Sequence, residues 1–396
     1  MRIAIFSDNF YPELSGISDS VISLATELAK RGHFIHFYAP KYSAADHHIS
    51  NAEHEEIDLG PNVGVTRFAS FFFGSGSGQG RAVIPDGLRW LKVSSFKPDV
   101  IHTQTFFGTG FEALVASRAL GVPLVGTNHT AIKSFLIYNP IKTQWMDNAI
   151  IKYVNWYYER CEIVTAPSRS VFVEMDESGF KKQGIPLSNP IETEIFKPLP
   201  DRDGLRKKFK LGDHAIIHAG RLAKERSIDV IIRALPLVKK EIPDAELVFS
   251  GRGADEQEFR KLAADLGVAD SVKFLGFLSQ KELVEVYNAG EVFTIASTSD
   301  TQSLVMMQAM ACGLPIVGVN ARALPEFINE GNGFVVEPGD PKAMAEKLVK
   351  VLESASLQKK LGEGGRETAL QFSPEKIADQ WEAIYRSAID QYGKKL

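Results

Sequence analysis

Ser297-Thr-Ser-Asp-Thr-Gln-Ser-Leu-Val-Met-Met-Gln-Ala-Met-Ala-Cys-Gly-Leu-Pro-Ile-Val317 reads as a strand end, a short polar loop, a helix start and the next buried strand. Asp300 falls in the loop, Ser303 at the start of the helix with Leu304 behind it, and Gln308 eight residues beyond Asp300. A loop opening into a helix aims backbone N–H groups and the positive end of a dipole at an anion, here with polar side chains beside it. Strand, loop, helix and strand in succession is also the repeating unit of a parallel sheet covered by helices.

Outward from this stretch the same unit recurs, so the fold class is α/β. Short apolar runs predict strands at Ile3–Ser7, Phe34–Tyr38, Val63–Phe68, Val100–Thr103, Leu124–Thr127 and Ile163–Ala166. A second series follows at Ala215–His218, Leu247–Ser250, Val272–Leu275, Val292–Ala296, Pro315–Val319 and Phe334–Val336. Between the first two strands, Ser18–Arg31 carries Val21, Leu24, Ala25, Leu28 and Ala29 on one helical face. Leu187–Pro200 is proline-rich and aperiodic, and the hinge is placed there. The expected domains are residues 1–190 with a returning helix at 375–396, and residues 191–374. That last helix follows Ser373-Pro374, with Ile377, Trp381, Ile384, Tyr385 and Ile389 on its apolar face.

Composition narrows the function. A formal net charge of −4 argues against nucleic acid as a partner. No apolar run approaches the roughly 20 residues that span a bilayer, and the first apolar run is too short for a signal peptide. The two cysteines, Cys161 and Cys312, have no CxxC spacing and read as buried thiols in a reducing cytosol. A dehydrogenase would need GxGxxG after the first strand, where this chain has Asp8-Asn-Phe-Tyr-Pro-Glu-Leu-Ser-Gly16.

The loops that end strands carry the remaining chemistry. His218-Ala-Gly-Arg-Leu-Ala-Lys-Glu-Arg226 turns at Gly220 and brackets the turn with Arg221 and Arg226. Two cations beside a helix start suit a diphosphate whose charge grows as it leaves; a solvated surface turn is the plain alternative. Gly251 and Gly253 let the next strand turn into a helix. Phe274-Leu-Gly-Phe-Leu278 offers apolar side chains, Phe274 and Leu275 among them, and backbone groups; a core strand accounts for Phe274 as well. Gly16 lies in the turn after strand one. His129, in Thr127-Asn-His-Thr130, lands at the carboxyl edge of a sheet, where α/β proteins bind ligands. His102 ends a strand at the same edge. Gly74–Gly80 reads as a mobile loop. Phe135–Glu159 is dense in aromatics; core is the plain reading, and a wall for a lipid acceptor or peripheral membrane contact the sharper one.

In order and spacing these segments resemble the retaining glycosyltransferases of family 4, from Ile3 to Pro338. In that family two glutamates eight residues apart hold a nucleotide sugar; here they are replaced by Asp300 and Gln308. Arg221 stands at the family arginine, and Arg226 where the family has lysine. The first glycine of the family pair after strand one is Ser15 here, the second Gly16. His129 matches the histidine that contacts the donor sugar.

The resemblance implies a GT-B fold of two facing Rossmann-like domains. It also implies a hexose moved from a UDP- or GDP-sugar to a hydroxyl with retention. Arg221 and Arg226 would stabilise the departing diphosphate, helped by backbone groups near Gly16 and Ser303, while Asp300 holds sugar hydroxyls and Gln308 the ribose. Gly220, Gly251, Gly253, Phe274, Leu275 and Leu304 complete the expected donor site. No Asp-x-Asp metal site is evident, so the expectation is metal independence, with the nucleotide sugar as co-substrate. The acceptor is left open between lipid, glycan and small molecule, at a cytoplasmic location or the inner face of the membrane. The alternatives are a nucleotide-binding protein without turnover, and an epimerase or phosphorylase on the same scaffold. An epimerase would need proton-shuttling carboxylates, for which Glu13 and Asp19 are present.

Overall fold

The computed structural model describes residues 1–50, 52, 56–73, 79–130, 132 and 143–395. They form two compact units, Met1–Pro190 with Pro374–Leu396, and Ile191–Ser373.

The first unit holds a parallel sheet in the order β3-β2-β1-β6-β7-β8-β9. Its strands are β1 (Arg2–Phe6), β2 (Phe34–Pro40), β3 (Val63–Phe68), β6 (Val100–Thr103), β7 (Leu124–Thr127), β8 (Ile163–Ala166) and β9 (Ile185–Pro186). A separate antiparallel hairpin joins β4 (Phe71–Phe72) to β5 (Arg81–Ala82). Strands β6, β7 and β8 are buried along their whole length, as expected when helices cover both faces of a parallel sheet. The helix Pro374–Gly393 buries Ile377, Trp381, Ile384 and Tyr385 in this unit. Arg31 fixes it from outside, reaching Asp379 at 2.6 Å and the Glu375 carbonyl at 2.6 Å.

The second unit repeats the plan with β12-β11-β10-β13-β14-β15. These are β10 (Ala215–Ala219), β11 (Glu246–Ser250), β12 (Val272–Phe274), β13 (Val292–Ile295), β14 (Ile316–Val319) and β15 (Gly333–Val336), all paired parallel. Both sheets reverse direction beside their first strand, between β1 and β6 and between β10 and β13. Such switch points leave a crevice at the carboxyl edge where doubly wound folds bind ligands.

Three expectations need correcting. Helix one begins at Gly16 rather than Ser18, because the Ser15 hydroxyl caps it by accepting from Ile17 N. Of the glycine-rich run, residues 74–78 lie outside the described residues, but Gln79 is wholly buried. Its amide donates to the Asp46 and Pro12 carbonyls and accepts from Leu14 N, which anchors this end of the run. Of the aromatic segment, residues 135–142 also lie outside the described residues. In the helix Gln144–Tyr158, Val154, Tyr157 and Tyr158 are buried, while Trp145 is 66% exposed, so only its second half is core. Among the described residues no helix is long and apolar enough to cross a membrane.

Candidate functional site

In the second unit three loops are stitched together at the carboxyl edge. Gly220 N donates to Ser250 O at 2.9 Å, Leu222 N to Arg252 O at 3.0 Å, and Gly251 N to Gly276 O at 2.7 Å. The contacts are close enough to require glycine. A Cβ on Gly251 would stand 1.9 Å from the Gly220 carbonyl oxygen, and one on Gly253 1.9 Å from that of Leu222.

The two arginines lie on the first of these loops, and each meets a carboxylate. Arg221 pairs with Glu225 at 2.9 Å, while Arg226 donates to Asp300 on the loop after β13. The switch point thus joins Arg226 and Asp300, a pairing that no local pattern announces. Burial alone would raise the Asp300 carboxyl, but the Arg226 guanidinium, helped by Ser297 and His218, outweighs it and holds the group below its ordinary range. The longer arginine where the family has lysine meets the shorter aspartate where it has glutamate.

Ser303 caps the helix Leu304–Ala311, its hydroxyl accepting from Met306 N at 3.4 Å. Gln308 lies on that helix. Among the described residues Gln308 Oε1 and Asp300 Oδ2 are buried acceptors with no hydrogen-bond partner. Such acceptors are costly unless something else donates to them. Phe274 is packed rather than open: its ring stacks on Phe249 at 5.1 Å and carries the Arg260 guanidinium 4.2 Å from its centroid. Leu275 N donates to Phe249 O at 2.9 Å.

His218, buried beneath this loop, donates from Nδ1 to the Thr294 carbonyl at 2.9 Å, and burial lowers its pKa to about 4. The native unit therefore excludes a proton that the unfolded chain accepts below about pH 6.5. Stability present above that pH should fall as pH drops from about 6.5 to 4, by up to about 1.4 kcal/mol per pH unit from this group. Melting temperatures measured over that range should decline more shallowly in His218→Asn than in the unsubstituted protein.

In the first unit Gly16 opens the helix Gly16–Lys30, its N–H in the first turn, where no intrahelical acceptor exists. His129 follows β7, and its Nε2 lies 2.6 Å from Gln104 Oε1. His102, wholly buried, contacts Tyr385 and Thr127. Burial lowers His129 to about 4 and His102 to about 3, so both are neutral near pH 7. Glu13 accepts from Tyr42 and Asn9, which makes it a brace for its own loop. Among the described residues no three His, Cys, Asp or Glu side chains cluster as a metal-ligand set.

The sequence did not single out Glu225 or Gln104, and placed Tyr385 only on the apolar face of the last helix; each acts through a contact with a candidate site residue. The second unit as built can take an anion beside paired cations and a hydroxyl-bearing group beside Gln308.

Known proteins match both units. A family model described as "Glycosyl transferases group 1" matches residues 201–368, and "Glycosyltransferase Family 4" matches residues 14–194. The chain is 25% identical to alpha-monoglucosyldiacylglycerol synthase of Acholeplasma laidlawii over 413 residues, covering 100% of this chain and 99% of that one. It is also 25% identical to N-acetyl-alpha-D-glucosaminyl L-malate synthase of Bacillus anthracis, covering 97% of each. A solved Anabaena protein, HepE in complex with UDP, shares its fold with a TM-score of 0.76 at 20% identity, over 98% of this chain and 100% of that one.

Proposed function

From the premise that the chain belongs to the group 1 glycosyl transferases with the GT-B fold, we propose that it moves a hexose from a nucleoside diphosphate sugar to a hydroxyl, with retention. The observation that carries this reading is the loop cluster of the second unit. Two arginines, a capped helix start and two unpartnered buried acceptors lie there together. In the reaction the bond from the anomeric carbon to the diphosphate breaks, and a bond to the acceptor oxygen forms as that hydroxyl loses its proton. Arg221 and Arg226 offset the charge left on the diphosphate. Gln308 takes the ribose diol, and Asp300 both orients Arg226 and offers Oδ2 to a sugar hydroxyl. No metal is required in this account.

Lipid is the favoured acceptor class. The first unit exposes Phe71, Phe72 and Phe73, and further along the chain Ile84, Leu88 and Leu91. Exposed apolar side chains in such number suit an apolar partner, and the synthase of Acholeplasma named above is a glucosyldiacylglycerol enzyme by its name.

Gln308→Leu removes the buried acceptor and should weaken nucleoside diphosphate binding about tenfold, whereas Gln308→Glu should strengthen it several-fold through an ionised acceptor. Titration calorimetry reads both. The reaction itself is tested by NMR of the product formed with and without EDTA. An α-linked product from an α-linked donor, formed at the same rate in both samples, supports the account. A β-linked product or abolition by EDTA overturns retention or metal independence respectively.

A further inference from the structure

We propose that Gln104 is a positioning residue that fixes the tautomer and orientation of His129 and ties it to the C-terminal helix; the inference rests on the transferase reading above. Gln104 follows β6 and is 4% exposed. Its Oε1 lies 2.6 Å from His129 Nε2, and an amide oxygen can only accept. The proton of neutral His129 therefore sits on Nε2 and the lone pair on Nδ1. The amide nitrogen of Gln104 lies 3.2 and 3.0 Å from the two ring nitrogens of His102. A reversed amide would present N–H to His129 and demand the opposite tautomer.

His102 is itself held from both sides. Its Nε2 meets Thr127 Oγ1 at 2.7 Å, which continues to Thr165 Oγ1 at 2.7 Å, and its Nδ1 meets the Tyr385 hydroxyl at 2.8 Å. Trp381 packs on the same imidazole with ring centroids 4.4 Å apart. A buried polar chain thus runs from the C-terminal helix through His102 and Gln104 to His129. His102, Gln104, Thr127, His129 and Trp381 line one small cavity together with Ser20 and Asn189, which are hydrogen-bonded at 2.8 Å. A ring held through one nitrogen by such a chain keeps its direction when substrate binds, which is what a group contacting a reacting sugar requires.

The titratable groups facing His129 among the described residues are His102 on β6 and, through it, Tyr385 on the C-terminal helix. Asp19 on the helix Gly16–Lys30 is one residue from Ser20. Its side chain is exposed to solvent. Thr127 and Thr165 on the neighbouring strands do not titrate, nor does the segment 187–190.

The experiment combines NMR of the full chain carrying 15N-labelled histidine with kinetics of the same samples. The His129 signal is assigned by its loss in His129→Gln. In the unsubstituted protein it should report protonated Nε2 and no titration above about pH 5. Gln104→Leu should mix the tautomers and lower kcat about tenfold, with little change in the donor KM. Gln104→Glu keeps the acceptor but sets a carboxylate against the N–H. It should carry His129 protonation into the neutral range and add a limb to the pH profile of kcat. The limb should persist in an Asp19→Asn background, since Asp19 is not its source. A Nδ1-protonated ring in the unsubstituted protein overturns the proposal. So does a Gln104→Glu profile without the limb, or a Gln104→Leu protein with unaltered tautomer and kcat. Failure of every donor to turn over, with the Nε2–H tautomer present and lost in Gln104→Leu, would refute the transferase reading while supporting the positioning.

Discussion

Arg226→Ala should lower kcat by about two to three orders of magnitude, the loss expected when a preorganised charge opposite a leaving group is removed. Two effects combine. The guanidinium no longer meets the departing diphosphate, and Asp300, 8% exposed, is left buried without the cation that holds its carboxyl down. Its carboxyl then rises, because desolvation is opposed only by Ser297 and His218. Arg226→Lys keeps the charge but not the fork of donors, so a smaller loss of about tenfold is expected. Arg226→Ala combined with Asp300→Asn separates the two effects. It should recover thermal stability, since no lone buried charge remains, without recovering kcat. Recovery of kcat in the double variant would mean that Arg226 serves only to neutralise Asp300.

Gly251→Ala should abolish donor binding by a different route. Its Cβ would meet the Gly220 carbonyl oxygen at 1.9 Å, and its φ of +132° lies in a region that L side chains rarely adopt. Either the loop after β10 or the loop after β11 must move, and the bonds that hold Gly220 and Leu222 against Ser250 and Arg252 are lost with it. A cost of about 3 kcal/mol is expected, and a fall in nucleotide affinity of more than about a hundredfold. Gly267→Ala is the control in the same unit. Its φ of +70° is also positive, but nothing lies within 4 Å of the added methyl, so about 1 kcal/mol and unchanged affinity are expected. Chemical denaturation with nucleotide titration distinguishes the two.

Much of this protein is legible in its sequence because parallel strands buried on both faces write themselves as short apolar runs. Val100–Thr103, Leu124–Thr127 and Ile163–Ala166 fall where their apolar runs place them. The short strand Ile185–Pro186 and the hairpin Phe71–Phe72 with Arg81–Ala82 escaped, since two residues carry no period. The glycine turns after β10 and β11 were legible because a tight turn into a helix needs that residue. What the sequence withheld are contacts between distant positions. Arg226 and Asp300 are 74 residues apart and meet only because β10 and β13 are neighbours. Gln104 and His129 meet because β6 lies beside β7. Phe274 was expected in the donor site, with a core strand as the plain alternative; its ring stacks on Phe249 of the adjacent strand and carries the Arg260 guanidinium. Gln79 looked mobile inside a glycine-rich run, yet two carbonyls and an amide fix it. Sheet order, not local pattern, brings Arg226 to Asp300, Gln104 to His129 and Phe274 to Phe249.

The most direct test of the central claim is mass-spectrometric turnover of a nucleotide-sugar panel by the unsubstituted chain. The panel comprises uridine, guanosine and adenosine diphosphate derivatives of glucose, mannose, galactose, glucuronate and N-acetylglucosamine, with pooled lipid and sugar acceptors. Selective release of one nucleoside diphosphate, matched by a hexose added to an acceptor, is the result this account predicts. Selective binding of a nucleotide with no turnover of any donor would contradict it.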